Sequence, residues 1–252
     1  TQTKLKKKTK NKKKTHPLKK QKIFFFFPPP PPPPPISKTK VDAQLFAGFD
    51  TYAGVLDAEV QAKLQLLAAR AAELVAAHRA GRRVAIVFSG CGTSGRVAWL
   101  CARAFNQALG GTPKCFHYLL SGGDEALIVS KELPEDDPQL GAADLRAVIE
   151  SADASMFFGI TCGLSAPYVA GQIEYAMSVP TCTTVLVGFN PVELARDAPV
   201  EGWTRTCFQV FTDLAARSRS APGTAVILNP VSIAERRRKK ERKRRRNKKE
   251  EE

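Results

Sequence analysis

The stretch Arg83 to Arg96, RVAIVFSGCGTSGR, limits what this chain can fold into more than any other. Val84, Ala85, Ile86, Val87 and Phe88 form a short, unbroken apolar run. A strand of that kind is buried on both faces, as in a parallel sheet covered by helices on either side. Directly after it, Gly90, Gly92 and Gly95 free the backbone, and Thr93 and Ser94 set two hydroxyls at the mouth of a helix predicted to begin near Gly95. Glycines let main-chain N–H groups approach an anion closely, and a helix start adds unpaired donors and the positive end of the dipole. The loop therefore reads as a phosphate cradle.

Two other readings of the same letters stay open. Gly90, Gly92 and Gly95 also satisfy G-x-G-x-x-G, the dinucleotide fingerprint, which wants an acidic residue closing the second strand to hold ribose hydroxyls. That strand, Cys115 to Leu120, runs instead into Ser121-Gly122-Gly123, with Asp124 following in the turn. The third reading is a plain strand-to-helix turn with no ligand.

The rest of the core alternates helix and strand patterns. Leu64, Leu67, Ala68, Ala71, Ala72, Leu74 and Val75 recur at helical spacing between Val55 and Ala80, and Gly81 stops the helix. Further helices are expected over Arg96 to Leu109, Glu125 to Val129, Ala142 to Glu150, Tyr168 to Met177 and Thr204 to Ala216. Strands are expected at Ala154 to Ile160, Thr183 to Gly188 and Thr224 to Leu228, while Glu132 to Pro138 reads as an acidic break. The alternation predicts a three-layer αβα fold with a parallel sheet of about five strands, flavodoxin-like, joined by right-handed crossovers. Thr161-Cys162-Gly163-Leu164-Ser165-Ala166-Pro167 is a second glycine and hydroxyl loop at a strand's carboxyl end, with Ser165 placed as a helix cap. Ligands in such sheets sit at that edge, so the two loops are expected to converge on one phosphate.

Charge divides the chain. Residues 1–40 hold thirteen Lys and no acid, and residues 235–252 hold twelve Lys and Arg against five Glu, so the +15 of the whole becomes −5 over residues 41–234. The basic character belongs to the tails, which as like-charge blocks are expected to be disordered. They could serve as nuclear addresses or hold nucleic acid non-specifically through counterion release. Ile23 to Phe27 is too short for a secretory core, and Pro28 to Pro35 reads as a polyproline rod acting as a spacer. No run approaches the length of a transmembrane helix, so the expected setting is cytoplasmic or nuclear. The six cysteines lack a C-x-x-C pair and read as reduced, mostly buried thiols; three scattered His give neither a metal site nor a His-based triad.

GCGTSGR at Gly90 to Arg96, SGGD at Ser121 to Asp124, EDD at Glu135 to Asp137 and GITCGLSAPYVAGQ at Gly159 to Gln172 resemble the sugar isomerase (SIS) domains shared by N-acetylmuramic acid 6-phosphate etherase and glucokinase regulatory protein. FNQ at Phe105 to Gln107 and VGFNPVELARDAPVEGW at Val187 to Trp203 are similar to the regulatory protein. The resemblance runs from about Val41 to Val231 and implies a single SIS domain over residues 41–234. It implies that Ser94 and Thr161 bind phosphate oxygens, that Gly92, Thr93, Gly95, Cys162 and Gly163 complete the two loops, and that Ser165 supports the second. Glu135 would accept hydrogen bonds from sugar hydroxyls, and Arg96 would brace the first loop against a carboxylate. The etherase uses two carboxylates, as acid and base. The first, counted without a gap, falls on Ala104, so the resemblance implies a non-catalytic regulator without cofactor or metal. Its ligand would be fructose 6-phosphate or fructose 1-phosphate and its partner a glucokinase-type hexokinase.

The rival from the enzyme class is an etherase-like lyase or sugar-phosphate isomerase. After Val231 the family continues with Gly-Ser-Ser-Arg-Met-Lys-Gly, a second SIS domain and a helical cap, where this sequence reads Ser232-Ile233-Ala234 and a basic tail. The expectation is a truncated domain with an incomplete site and tails from a fragmentary or mis-spliced gene model, which transcript reads crossing Val231 into the basic codons would refute. A remaining rival is a polyanion-binding protein driven by its tails. Deleting residues 1–40 and 235–252 is expected to abolish retention on a nucleic-acid column at low salt; retention that survives would place polyanion binding in the folded segment.

Overall fold

The computed structural model describes Ala43, Phe46 to Gly48, and residues 53–111, 114–129 and 133–230. The Lys-rich and polyproline segment 1–40 and the tail 235–252 lie outside the described residues. Helices and strands alternate: α1 (Ala58–Arg79), β1 (Val84–Gly90), α2 (Gly92–Ala108), β2 (Phe116–Leu120), α3 (Pro138–Ile149), β3 (Ala154–Ile160), α4 (Pro167–Ser178), β4 (Cys182–Val187), α5 (Cys207–Ser220) and β5 (Ala225–Leu228). Every neighbouring strand pair is parallel, in the order β2-β1-β3-β4-β5. This is the expected αβα architecture with the flavodoxin-like strand order.

Alternation along the strands feeds two separate cores. Ala85, Val87, Phe157, Leu186 and Ile227 pack with Leu145, Tyr168, Ile173 and Phe211 from α3, α4 and α5. Ile86, Met156, Val185 and Val226 pack with Leu67, Leu74 and Ala102 from α1 and α2. The unbroken apolar run of β1 is explained by this double covering. Helix α1 buries Val60, Leu67 and Leu74, one residue every two turns. Leu64, expected on the packing face, lies at the margin of that stripe and is 37% exposed.

Helix ends differ from the expected boundaries for local reasons. Pro138, read as part of a break, is the first residue of α3, where its missing N–H costs no bond, and Asp137 caps the helix by accepting from Leu140 N at 2.8 Å. Helix α5 starts after Thr206, whose hydroxyl and the Gln209 amide form a reciprocal capping box. The segment expected as a helix over Glu125 to Val129 is a single 3₁₀ turn, Asp124–Leu127.

Helices α3 and α4 touch backbone to backbone. A Cβ at Gly141 would stand 2.1 Å from the Tyr168 carbonyl oxygen, and one at Gly171 would stand 2.0 Å from that of Pro138. The Tyr168 hydroxyl donates to Asp144 Oδ2 at 2.7 Å across the same contact. Burial and the Asp144 carboxylate both push the Tyr168 phenol well above its ordinary pKa. No backbone shift at Gly171 relieves a clash with a main-chain carbonyl without separating the helices. Gly171→Ala is expected to lower stability by about 3 kcal/mol, read as an earlier urea midpoint at unchanged slope; a midpoint equal to that of the unsubstituted chain would refute the close crossing.

Candidate functional site

Strands β1 and β3 lie side by side with Gly90 opposite Ile160, so the loops that follow them leave the sheet at one level. Helix α2 then packs over one face and α4 over the other. Two adjacent parallel strands whose chains depart in opposite directions leave a crevice at their carboxyl ends, where open α/β sheets take ligands. The convergence expected for the two loops is therefore present.

The first loop is tighter than expected. Helix α2 begins at Gly92, three residues before the predicted start, with Cys91 as its N-cap and no side-chain capping bond. Gly92, Thr93 and Ser94 form its opening turn, whose N–H groups have no partner within a helix. Gly92 has φ +50°, a left-handed conformation that favours glycine. A Cβ at Gly95 would stand 2.1 Å from Leu120 Cδ1 and 2.5 Å from the Gly90 oxygen, so only hydrogen fits between strand and helix. Arg96 braces this turn through main-chain carbonyls among its partners: its Nε donates to the Leu127 oxygen at 3.0 Å and its Nη2 to that of Ala126 at 3.1 Å.

The acidic turn hangs over this loop. A Cβ placed on Gly92 would come within 3.5 Å of Glu135 Oε1, which puts the Glu135 carboxylate beside the cradle. Its neighbour Asp136 accepts from Arg196 Nη1 at 2.5 Å. Both partners of that ion pair are partly exposed, so it adds little stability; what it does is hold the acidic turn against the second loop.

In the second loop, Thr161 is buried and its Oγ1 accepts from the Ser165 N–H at 3.3 Å. Ser165 was expected to cap the next helix; instead Ala166 is the N-cap, Pro167 is the first helical residue, and no side chain caps α4. Ser165 thus keeps its hydroxyl on the exposed side of the loop. Leu164 is the one non-glycine residue with positive φ, +52°, among the described residues. Such a backbone costs about 1 kcal/mol, and its fully buried side chain against Gly188 holds it in place. Asn190 Nδ2 donates to the Gly163 oxygen at 2.7 Å, and the Arg196 N–H donates to that of Leu164 at 3.0 Å.

The structure brings together Gly92, Thr93, Ser94, Gly95, Glu135, Thr161, Cys162, Gly163 and Ser165 around the β1–β3 crevice. Asn190 is not among the candidate site residues read from the sequence; its signal there is a polar residue set directly after an apolar run, within the Val187 to Trp203 stretch. A hollow of about 610 Å³ lies elsewhere, beside the edge strand β2, lined by residues including Trp99, Arg103, Lys114 and His117. It does not reach the loops. Among the described residues no group of three or more His, Cys, Asp or Glu could hold a metal, and no helix is long and apolar enough to cross a membrane.

The cysteines at the site are unlike. Cys91 is half-buried, and burial, with Glu135 adding to it, pushes its thiol up to about 12. Cys162, expected as a buried thiol, is exposed, because the turn at Leu164 sends the apolar side chain inward and leaves its neighbour at the rim. The thiolate is the reactive form. Iodoacetamide at pH 8 is therefore expected to alkylate Cys162 well before Cys91 in the native protein, as read by peptide mass spectrometry; faster labelling of Cys91 would refute its environment.

Residues 66–177 match the family described as the glucokinase regulatory protein N-terminal SIS domain. The glucokinase regulatory protein of Xenopus laevis is 47% identical over 148 residues, covering 58% of this chain and 24% of that protein. An N-acetylmuramic acid 6-phosphate etherase of Halalkalibacterium halodurans is 30% identical over 174 residues, 69% of this chain and 57% of the enzyme. Among solved structures, tagatose-6-phosphate ketose/aldose isomerase from Escherichia coli aligns over 69% of this chain and 37% of that one, at 15% identity and a TM-score of 0.33. The matched segment spans about a quarter of the length of the glucokinase regulatory protein. The match over residues 66–177, with the strand order and the paired loops described above, makes this segment similar to the N-terminal SIS domain of the glucokinase regulatory protein.

Proposed function

We propose that this domain is a non-catalytic sensor that binds a sugar phosphate, fructose 6-phosphate or fructose 1-phosphate, between its two loops, and that occupancy controls binding to a glucokinase-type hexokinase. The observation that carries the reading is the meeting of two helix N-termini without side-chain caps, those of α2 and α4, at the β1–β3 crevice. Two such ends together favour a dianion. In this reading the first-turn N–H groups of Gly92 to Ser94 and the Ser94 hydroxyl hold one side of the phosphate, while Gly95, whose N–H donates to the Cys91 oxygen, lets the helix lie close against the strand. Thr161, Cys162 and Gly163 hold the other, with Ser165 at the rim.

Glu135 suits a different part of the ligand. A carboxylate repels phosphate and accepts hydrogen bonds from hydroxyls, so its position beside Gly92 directs the sugar ring to its side of the cradle. Elimination chemistry lacks a partner for it. The resemblance puts the first etherase carboxylate at Ala104, which is exposed on α2 and carries no titratable group. One carboxylate binds a hydroxyl; acid and base together need two. Control of a partner follows from linkage, since a ligand shifts partner affinity only by its unequal affinity for two conformations.

Thermal unfolding of the full chain with and without fructose 6-phosphate, fructose 1-phosphate and N-acetylmuramic acid 6-phosphate tests the reading. A fructose ester at a hundredfold excess over its Kd is expected to add about 2.7 kcal/mol of stability, and Ser94→Ala to remove that gain with little change in the unliganded transition. No shift with any ester would refute the sensor. Release of lactate from N-acetylmuramic acid 6-phosphate would move the domain to the enzyme class.

A further inference from the structure

Beneath the two loops, on the sheet face covered by α3, α4 and α5, lies a polar pair that phosphate binding as described does not use. Ser89 and Gln172 are both fully buried, and the Ser89 hydroxyl donates to Gln172 Oε1 at 2.6 Å. Ser89 is the residue before Gly90, where β1 ends and the first loop begins, and its strand partner in β3 is Gly159, just before the second loop. Gln172 sits in the second turn of α4, the helix that the second loop launches. A single short bond thus ties the strand that delivers one loop to the helix that follows the other.

The surroundings make this pair costly. Val169, Ile173 and Val87 belong to the apolar cluster on this face, and Gln172 Nε2 is buried there without a hydrogen bond of good geometry, its polar neighbour being the Tyr168 hydroxyl. A buried donor left unpaired is unfavourable, whereas removing both members of such a pair in favour of apolar groups is close to neutral or stabilising. Packing alone would be served as well by Ala and Met. The close crossing fixes α4 against α3, but apolar contacts give it little direction along the sheet; a 2.6 Å hydroxyl–amide bond sets its axial position against β1. An anion held from two sides needs its donors placed to about half an ångström.

We propose that the Ser89–Gln172 hydrogen bond is a positioning link that fixes the spacing of the two loops, so that they act on one ligand together; the proposal rests on the reading of those loops as an anion site. Neither side chain touches the ligand. Their role is exerted through Gly90 on one side and the start of α4 on the other.

The test uses the full chain, the double variant Ser89→Ala/Gln172→Met and the single variant Ser89→Ala. Hydrogen exchange is followed at residues 92–95 and 162–165, with the melting temperature and fructose 6-phosphate affinity measured alongside. The double variant is expected to melt at or above the temperature of the unsubstituted chain while exchange rises several-fold in both loops and affinity falls tenfold or more. Greater stability with looser loops is a signature that a merely structural role does not produce. Exchange unchanged in both loops, or raised only in step with a lower melting temperature, would overturn the link. If the double variant fails to fold, Ser89→Ala, which opens little space, is read in the same way: looser loops support the link and unchanged exchange overturns it. If the unsubstituted chain binds no ester while its loops still loosen together in the variants, the phosphate reading falls and the link stands.

Discussion

The parallel pairing of β1 with β3 is the contact on which the rest of the domain depends. Seven residue pairs run from Val84 opposite Ala154 to Gly90 opposite Ile160, and their ends define where both loops emerge. Parallel strands cannot be joined by a tight turn, so each must be followed by a crossover helix, and α2 and α4 satisfy that need on opposite faces. The crevice is therefore a product of topology. Shifting β3 against β1 by one residue would turn its apolar side chains to the wrong faces and move the second loop away from the first. Because both cores draw on alternate residues of these two strands, the site and the stability of the domain share one register.

Close backbone approach is the second constraint, and it recurs wherever the site is built. Gly95 lets α2 lie against β1 and Leu120, and Gly141 and Gly171 let α3 and α4 touch. These contacts bring helix ends nearer to the sheet edge than side chains would permit, which matters because a helix N-terminus acts on an anion only within its first turn. The second loop reaches its shape by other means. Leu164 accepts a left-handed backbone without being glycine, held by a buried side chain, by the Arg196 N–H bond to its own carbonyl and by the Asn190 bond to that of Gly163. Local strain maintained by surrounding packing is characteristic of binding loops.

Much of this was legible in the letters. The apolar runs marked β1 and β3, β3 with the residue limits the structure shows, and the glycine and hydroxyl clusters marked both loops. Helix starts were less legible: the candidate first residues lie within a few positions of each other, and at α2 and α4 no side chain caps the first turn to mark one. Gly92 opened α2 where Gly95 was expected, Pro138 began a helix where it was read as a break, and Ala166 took the capping position expected of Ser165. Asn190 and Gln172 were passed over because each meets its partner only across the fold, Gly163 and Ser89 respectively.

The sequence by itself determined the class of the fold and the chemistry available at the sheet edge. Hydrophobic period and glycine placement are local properties, and strands covered on both faces admit few topologies. Only the tertiary structure decided which groups meet: that Glu135 stands over Gly92, that Cys162 faces outward while Cys91 is half-buried with its thiol pushed up, and that Ser89 finds Gln172 beneath the loops. Those outcomes depend on distances between residues far apart in the chain. Such distances are set by the register of β1 on β3 and by how closely α3, α4 and the sheet can pack, which no single segment encodes.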